Sequence, residues 1–202
     1  MKITRRRALT SVVALTIALS GCSSSPPSPG EPQSAADTIP HDAETGQTLD
    51  EARASIEAIS GIAVTEFTGG GRPNVKGNTG YTVALTIEPG YVVDYGDLLV
   101  DFVVWSVWSV GEGYMPNTQI EIRTSTGDGE PYFDLSASGA GAGWTYGPVR
   151  ESAQHTTLVV PLSEDSPEGA LNLKRLAREG DWPGAVPDAL PDDVTRTVGH
   201  DG

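Results

Sequence analysis

The sequence predicts an α+β fold: a single domain in the order αββαββ, its antiparallel sheet covered by helices on one face. Three observations carry this. Tyr81, Val83, Leu85 and Ile87 alternate with polar or small residues, the period of a half-buried strand. Asp94 to Val110 forms a long apolar run that opens on acidic residues, as a buried helix does. Thr48-Leu49-Asp50-Glu51 has the spacing of a capping box, in which hydroxyl and carboxylate satisfy the first free amides of a helix.

In chain order, the capping box starts a helix that carries Leu49, Ala52, Ile56 and Ile59 at helical spacing and stops at Gly61. Ile62 to Phe67 reads as the first strand. A glycine-rich connection from Gly69 to Gly80 leads to the second, which Pro89-Gly90 ends. The 94–110 segment is too long for an ordinary strand, although its valines favour one. As a helix it is apolar on nearly every side, with Trp105 and Trp108 as core residues. Thr118 to Arg123 and Tyr132 to Leu135, joined through Gly127-Asp128-Gly129, carry a hairpin signature. His155 to Leu162 is a further strand, completing a domain over 48–162. Ser166-Pro167-Glu168 begins a helix within 163–180. The acidic, proline-rich 181–202 segment reads as a loose tail.

Ahead of the domain, Lys2, Arg5, Arg6 and Arg7 precede an apolar run from Ala8 to Leu19, too short for a comfortable membrane span. Small residues Ser20 and Gly21 and the chain's only cysteine, Cys22, follow. This is the layout of an export signal over 1–21. Leu19-Ser20-Gly21-Cys22 resembles the lipobox of bacterial lipoproteins. The resemblance implies a diacylglycerol thioether on Cys22, cleavage before it, and a mature chain held on the extracytoplasmic face of a membrane. It covers the first 22 residues and does not identify the domain. Thr4 to Leu9 also resembles a twin-arginine export signal, although Ala8 stands where that pattern has a large apolar residue. From 22 to 47 the chain is Ser, Pro, Gly and acid with almost no large apolar side chain, the composition of a solvated tether with a reach of roughly 25–30 Å.

Charge narrows the partners. The chain has 13 Lys+Arg against 27 Asp+Glu. Removing the four leader cations leaves 9 against 27, a formal charge of −18. Such a surface repels phosphate backbones, so nucleic acid is not an expected partner. It also repels anionic headgroups, so the lipid on Cys22 must hold the protein to its membrane.

The chemistry-bearing motifs fail on spacing. Gly70 to Gly77 has Lys76 before Gly77 and Asn78 after it, which is not the phosphate-loop order, and it reads as a long, mobile connection. Gly139-Ala140-Gly141-Ala142-Gly143 lacks the dinucleotide-binding spacing. There is no Gly-x-Ser-x-Gly or Ser-x-x-Lys, and no thiol is left once Cys22 is acylated. His155 is the single histidine expected within the fold, as a surface residue. No metal-ligand pattern is found and no cofactor is expected.

The remaining signal is aromatic. Trp144 and Tyr146 follow the glycine run, which reads as a free loop. The two rings either share a face as a platform for a partner or a sugar, or fold back over the sheet. The expected function is a non-catalytic binding or scaffolding module of the envelope, with an envelope protein or cell-wall glycan as partner. The alternative is a cell-wall hydrolase of unrecognised type.

Overall fold

Four strands build the main sheet, and their inward residues define the core. In the computed structural model, described over residues 38–126, 133–146, 156–190 and 192–199, they are β1 (Ile62–Thr68), β2 (Gly80–Ile87), β4 (Gln119–Thr126) and β5 (Thr157–Pro161), in the order β1-β2-β4-β5. Tyr81, Val83, Leu85 and Ile87 all point inward, as their alternation predicts, beside Ile120, Ile122, Leu158 and Val160. A bulge between Val64 and Glu66 puts Thr65 out of register, so Val64 and Phe67 reach the same buried face although three residues apart. On the other face Thr82, Ala84, Thr86, Glu121 and Arg123 are at least partly exposed.

The fold is α+β, as the sequence predicts, but the sheet is mixed. The outer pairs, β1–β2 and β4–β5, are antiparallel, whereas β2 and β4 pair in parallel over Gly80–Ile87. The reason is α2 (Gly96–Trp108). A helix between two neighbouring strands returns the chain to the end where it began, so the next strand runs the same way. This helix lies within the predicted 94–110 segment and buries Leu99, Val100, Phe102, Val103, Val104, Val107 and Trp108. The predicted capping box is present at α1 (Leu49–Glu57): Glu51 N–H donates to Thr48 Oγ1 at 3.1 Å, and Thr48 N–H donates to Glu51 Oε2 at 2.8 Å.

The expected hairpin is not formed as read. Its turn and Tyr132 lie outside the described residues, but Leu135 begins a helix, α3 (Leu135–Gly141), because Asp134 caps it by accepting from Ala137 N–H at 2.9 Å. The glycine run is therefore helical at its start and not a free loop. Gly139 sits where a Cβ would come within 2.6 Å of Leu158, so glycine lets α3 lie close on β5. The C-terminal helix α4 (Pro167–Leu176) has Ser166 as its cap and Pro at its first turn, as predicted, and buries Asn172 and Leu176.

Both segments expected to be solvated contribute to the fold. Residues 38–47, assigned to the tether, run beside 109–115. Gln47 is buried, its amide donating to Ser106 O at 3.1 Å and Ser109 Oγ at 2.7 Å. Within the predicted loose tail, β6 (Thr195–Thr197) pairs with β3 (Tyr91–Val93), and Val194 is fully buried. Composition hid both, since 38–47 docks largely through backbone hydrogen bonds and the tail through Val194 and Thr195 in an otherwise polar stretch. The signal segment 1–21, the tether as far as residue 37, and His155 lie outside the described residues.

Candidate functional site

The aromatic pair singled out from sequence lies where the end of α3 meets α2 and α4, and its two rings have different surroundings. Trp144 is fully buried, with its indole N–H donating to Asp101 Oδ1 at 3.0 Å. Above its ring lies Arg175, whose guanidinium carbon is 3.8 Å from the centroid. Tyr146 is about half exposed (49%) and its hydroxyl donates to Asn172 Oδ1 at 3.3 Å. Of the two readings left open, inward packing describes Trp144, and the rings form no shared exposed platform.

Side chains that the sequence did not single out hold this region. Asp101, on α2, accepts on one oxygen from both Trp144 and Arg175 Nη2, the latter at 2.7 Å. Arg175 Nη1 donates to Ala142 O at 2.5 Å, closing the last turn of α3. Asn172 is buried and uses its whole amide: Nδ2 donates to Trp144 O at 3.2 Å and Pro161 O at 3.0 Å, and Oδ1 accepts from Tyr146. One polar residue thereby ties the Trp144 segment to the end of β5. A signal existed for Asp101, a charge set among Leu98, Val104 and Trp105 on α2, whereas Arg175 has the polar neighbours Asn172, Arg178 and Glu179 along and just past α4 and carried none.

Next to this cluster is a groove of about 690 Å³. Trp105, read from sequence as a core residue, lines it and meets Trp144 edge-on, with centroids 6.0 Å apart and planes at 68°. Arg175 and Arg178 supply guanidinium groups along the groove, Asp101, Glu179 and Asp188 supply carboxylates, and 185–187 forms the far wall. Trp105 is partly buried, in contrast to Trp108 (3% exposed) one turn on. The groove thus offers an indole, fork-shaped donors and anionic acceptors to whatever enters it. A second groove, of about 460 Å³, lies at the end of β5 between Leu162, Leu173, Met115 and Trp182, with Glu164 and Lys76 also lining it.

Comparison with family models, with curated proteins and with solved structures returns no match. Among the described residues no group of three or more His, Cys, Asp or Glu is placed to hold a metal ion. Among them, too, no helix is long and apolar enough to cross a membrane.

Proposed function

We propose that the protein is a lipid-anchored, extracytoplasmic module that binds a component of the cell envelope through the groove beside Trp105. The observation that carries this reading is the register of the first 22 residues. Cationic cluster, apolar run, small residues and the lone Cys22 follow one another in the order that lipid attachment requires. Two or more acyl chains hold a protein stably where one does not, and the net negative charge of the chain leaves that role to the lipid.

The groove supports the binding half of the proposal. An indole beside guanidinium and carboxylate groups suits a hydroxyl-rich partner such as a cell-wall glycan, whose ring stacks on the flat side chain while its hydroxyls both donate and accept. Two measurements test the proposal. Cys22→Ser leaves the protein released or stalled as unprocessed precursor; fractionation with membranes at mature size refutes the anchor. Trp105→Ala, folded by circular dichroism, loses retention on purified cell-wall polymer; unchanged retention removes the groove from the reading.

A further inference from the structure

We infer that the β1–β2 connection docks on the anionic lipid surface of the membrane that carries the protein, with Val75 entering the headgroup layer between Arg72 and Lys76; this rests on the lipid anchor at Cys22.

The loop is built to present its tip. Asn74 Oδ1 accepts from the backbone N–H groups of Lys76 at 2.9 Å and Asn78 at 3.1 Å, and Gly77 N–H returns to Asn74 O at 2.8 Å. Asn117 holds the turn from below, its Nδ2 donating to Gly77 O at 2.8 Å and its Oδ1 accepting from Thr79 N–H at 2.9 Å. These bonds satisfy the turn's backbone and leave Val75 with no cover at all (103% exposed). Arg53, Arg123, Arg175 and Arg196 are each committed to a carboxylate. Arg72 and Lys76, both exposed, form no ion pair among the described residues. The same is true of Lys174 and Arg178 near the end of α4, but only the loop pair flanks a fully exposed apolar side chain. A bare apolar tip between two uncommitted cations, on a chain otherwise strongly acidic, is the surface chemistry that an anionic bilayer attracts.

The route back to Cys22 leaves the domain at the same end. His41 bridges Tyr114 in antiparallel fashion, and Met115 N–H donates to Pro40 O at 2.9 Å. Tyr114 N–H donates to Gly70 O, also at 2.9 Å, and Asn117 holds Gly77. Residues 114–117 are thus shared between the start of the described chain and the loop. Fifteen residues lie between Cys22 and Thr38. The start of the described chain and the loop therefore share one end of the domain. Two cations at an anionic surface favour the orientation with the loop towards it by roughly 30-fold, and the acidic remainder is repelled outward. Lys76 also lines the second groove, which Glu164, Asp165 and Asp181 share.

The test uses the lipidated mature protein. Acylation consumes its only cysteine, so Val75→Cys creates a single labelling site for an environment-sensitive fluorophore, with Val159→Cys on the open sheet face as control. In vesicles containing phosphatidylglycerol the label at 75 shifts to the blue and is quenched several-fold by nitroxide lipids, whereas the label at 159 is not. Replacing phosphatidylglycerol by phosphatidylcholine, or adding Arg72→Glu with Lys76→Glu, returns it to water. A label at 75 as open to aqueous iodide as that at 159 overturns the inference. So does protection that appears only when other membrane proteins are present, which assigns the loop to an acidic protein partner. Mass spectrometry of Cys22 separates the two readings: a chain without diacylglycerol refutes the anchor, whereas a lipidated chain with an exposed loop refutes the loop alone.

Discussion

Arg175 sits over the buried ring of Trp144, its guanidinium carbon 3.8 Å from the centroid, and the same guanidinium donates to Asp101 Oδ1 at 2.7 Å and Ala142 O at 2.5 Å. One side chain thereby joins α4 to α2 and to the end of α3. Removing Trp144 leaves the largest fully buried side-chain volume in the fold unfilled and Asp101 without one donor. Trp144→Ala is expected to cost about 3–5 kcal/mol in denaturant unfolding. Arg175→Lys keeps the charge but loses the fork and the stacking, and is expected to cost about 1–2 kcal/mol. Equal stability of Arg175→Lys and wild type would show that the charge alone suffices.

Asn172 makes a second test of the same corner. Asn172→Leu is close in size but leaves Trp144 O and Pro161 O without their donor, and each buried unpaired carbonyl costs about 1–3 kcal/mol. Asn172→Leu should therefore unfold at lower denaturant than wild type with an unchanged slope. A stability equal to wild type would mean that water replaces the amide at no cost.

Two groups give the stability a pH dependence. The Thr48 N–H and hydroxyl hold the Glu51 carboxylate below its ordinary value near 4.5, the backbone bond having the larger effect. Because the folded value is lowered, its contribution is complete above about pH 4.5 and is lost as pH falls through the lowered value. Glu51→Gln should flatten that acid limb, whereas Thr48→Ala, which keeps the N–H and removes only the hydroxyl, should lessen it in part. Burial pushes the Tyr81 hydroxyl up to about 12, and the nearby Glu112 adds to this. Its folded value is raised from 10.0, so stability is full below pH 10 and is lost as pH rises towards 12. Phenolate absorbance of the folded protein should show one tyrosine titrating last, and Tyr81→Phe should remove it.

What could be read from sequence divides by the range of the interaction that decides it. The Thr48–Glu51 cap, the alternation of β2 and the burial of α2 are settled within a few residues, and each is present. The parallel pairing of β2 with β4 depends on where α2 returns the chain, which no local pattern records. The glycine run failed for a related reason. Glycine weakens a helix locally, but here Asp134 caps it and close contact with Leu158 rewards the missing side chain. In the candidate site, Trp144 and Tyr146 were visible as aromatics. Their fate depended on Asp101, Asn172 and Arg175, which are 26 to 43 residues away from their partners in sequence.

The C-terminal segment supplies the last prediction, because composition alone marks it as dispensable. Val194 is fully buried, and Thr195 Oγ1 donates to Ser60 O at 2.5 Å. Asp94 and Tyr95 N–H both donate to Val194 O, at 2.9 and 3.3 Å, just ahead of α2. Arg196 pairs with Asp94 at 2.7 Å on the surface, where such a pair contributes about 0–1 kcal/mol. The weight of the segment therefore rests on Val194 and Thr195 and not on the ion pair. Val194→Ala is expected to cost about 2 kcal/mol by the volume it vacates, whereas Arg196→Ala should cost under about 1 kcal/mol. Ending the chain after Leu190 should cost more than either, since Asp94 and Tyr95 N–H then lose their acceptor at the start of the most buried helix. Hydrogen exchange in a chain ended there should rise first at residues 91–99. If exchange at 91–99 is unchanged and the shortened chain is as stable as the full one, the segment is a tail after all.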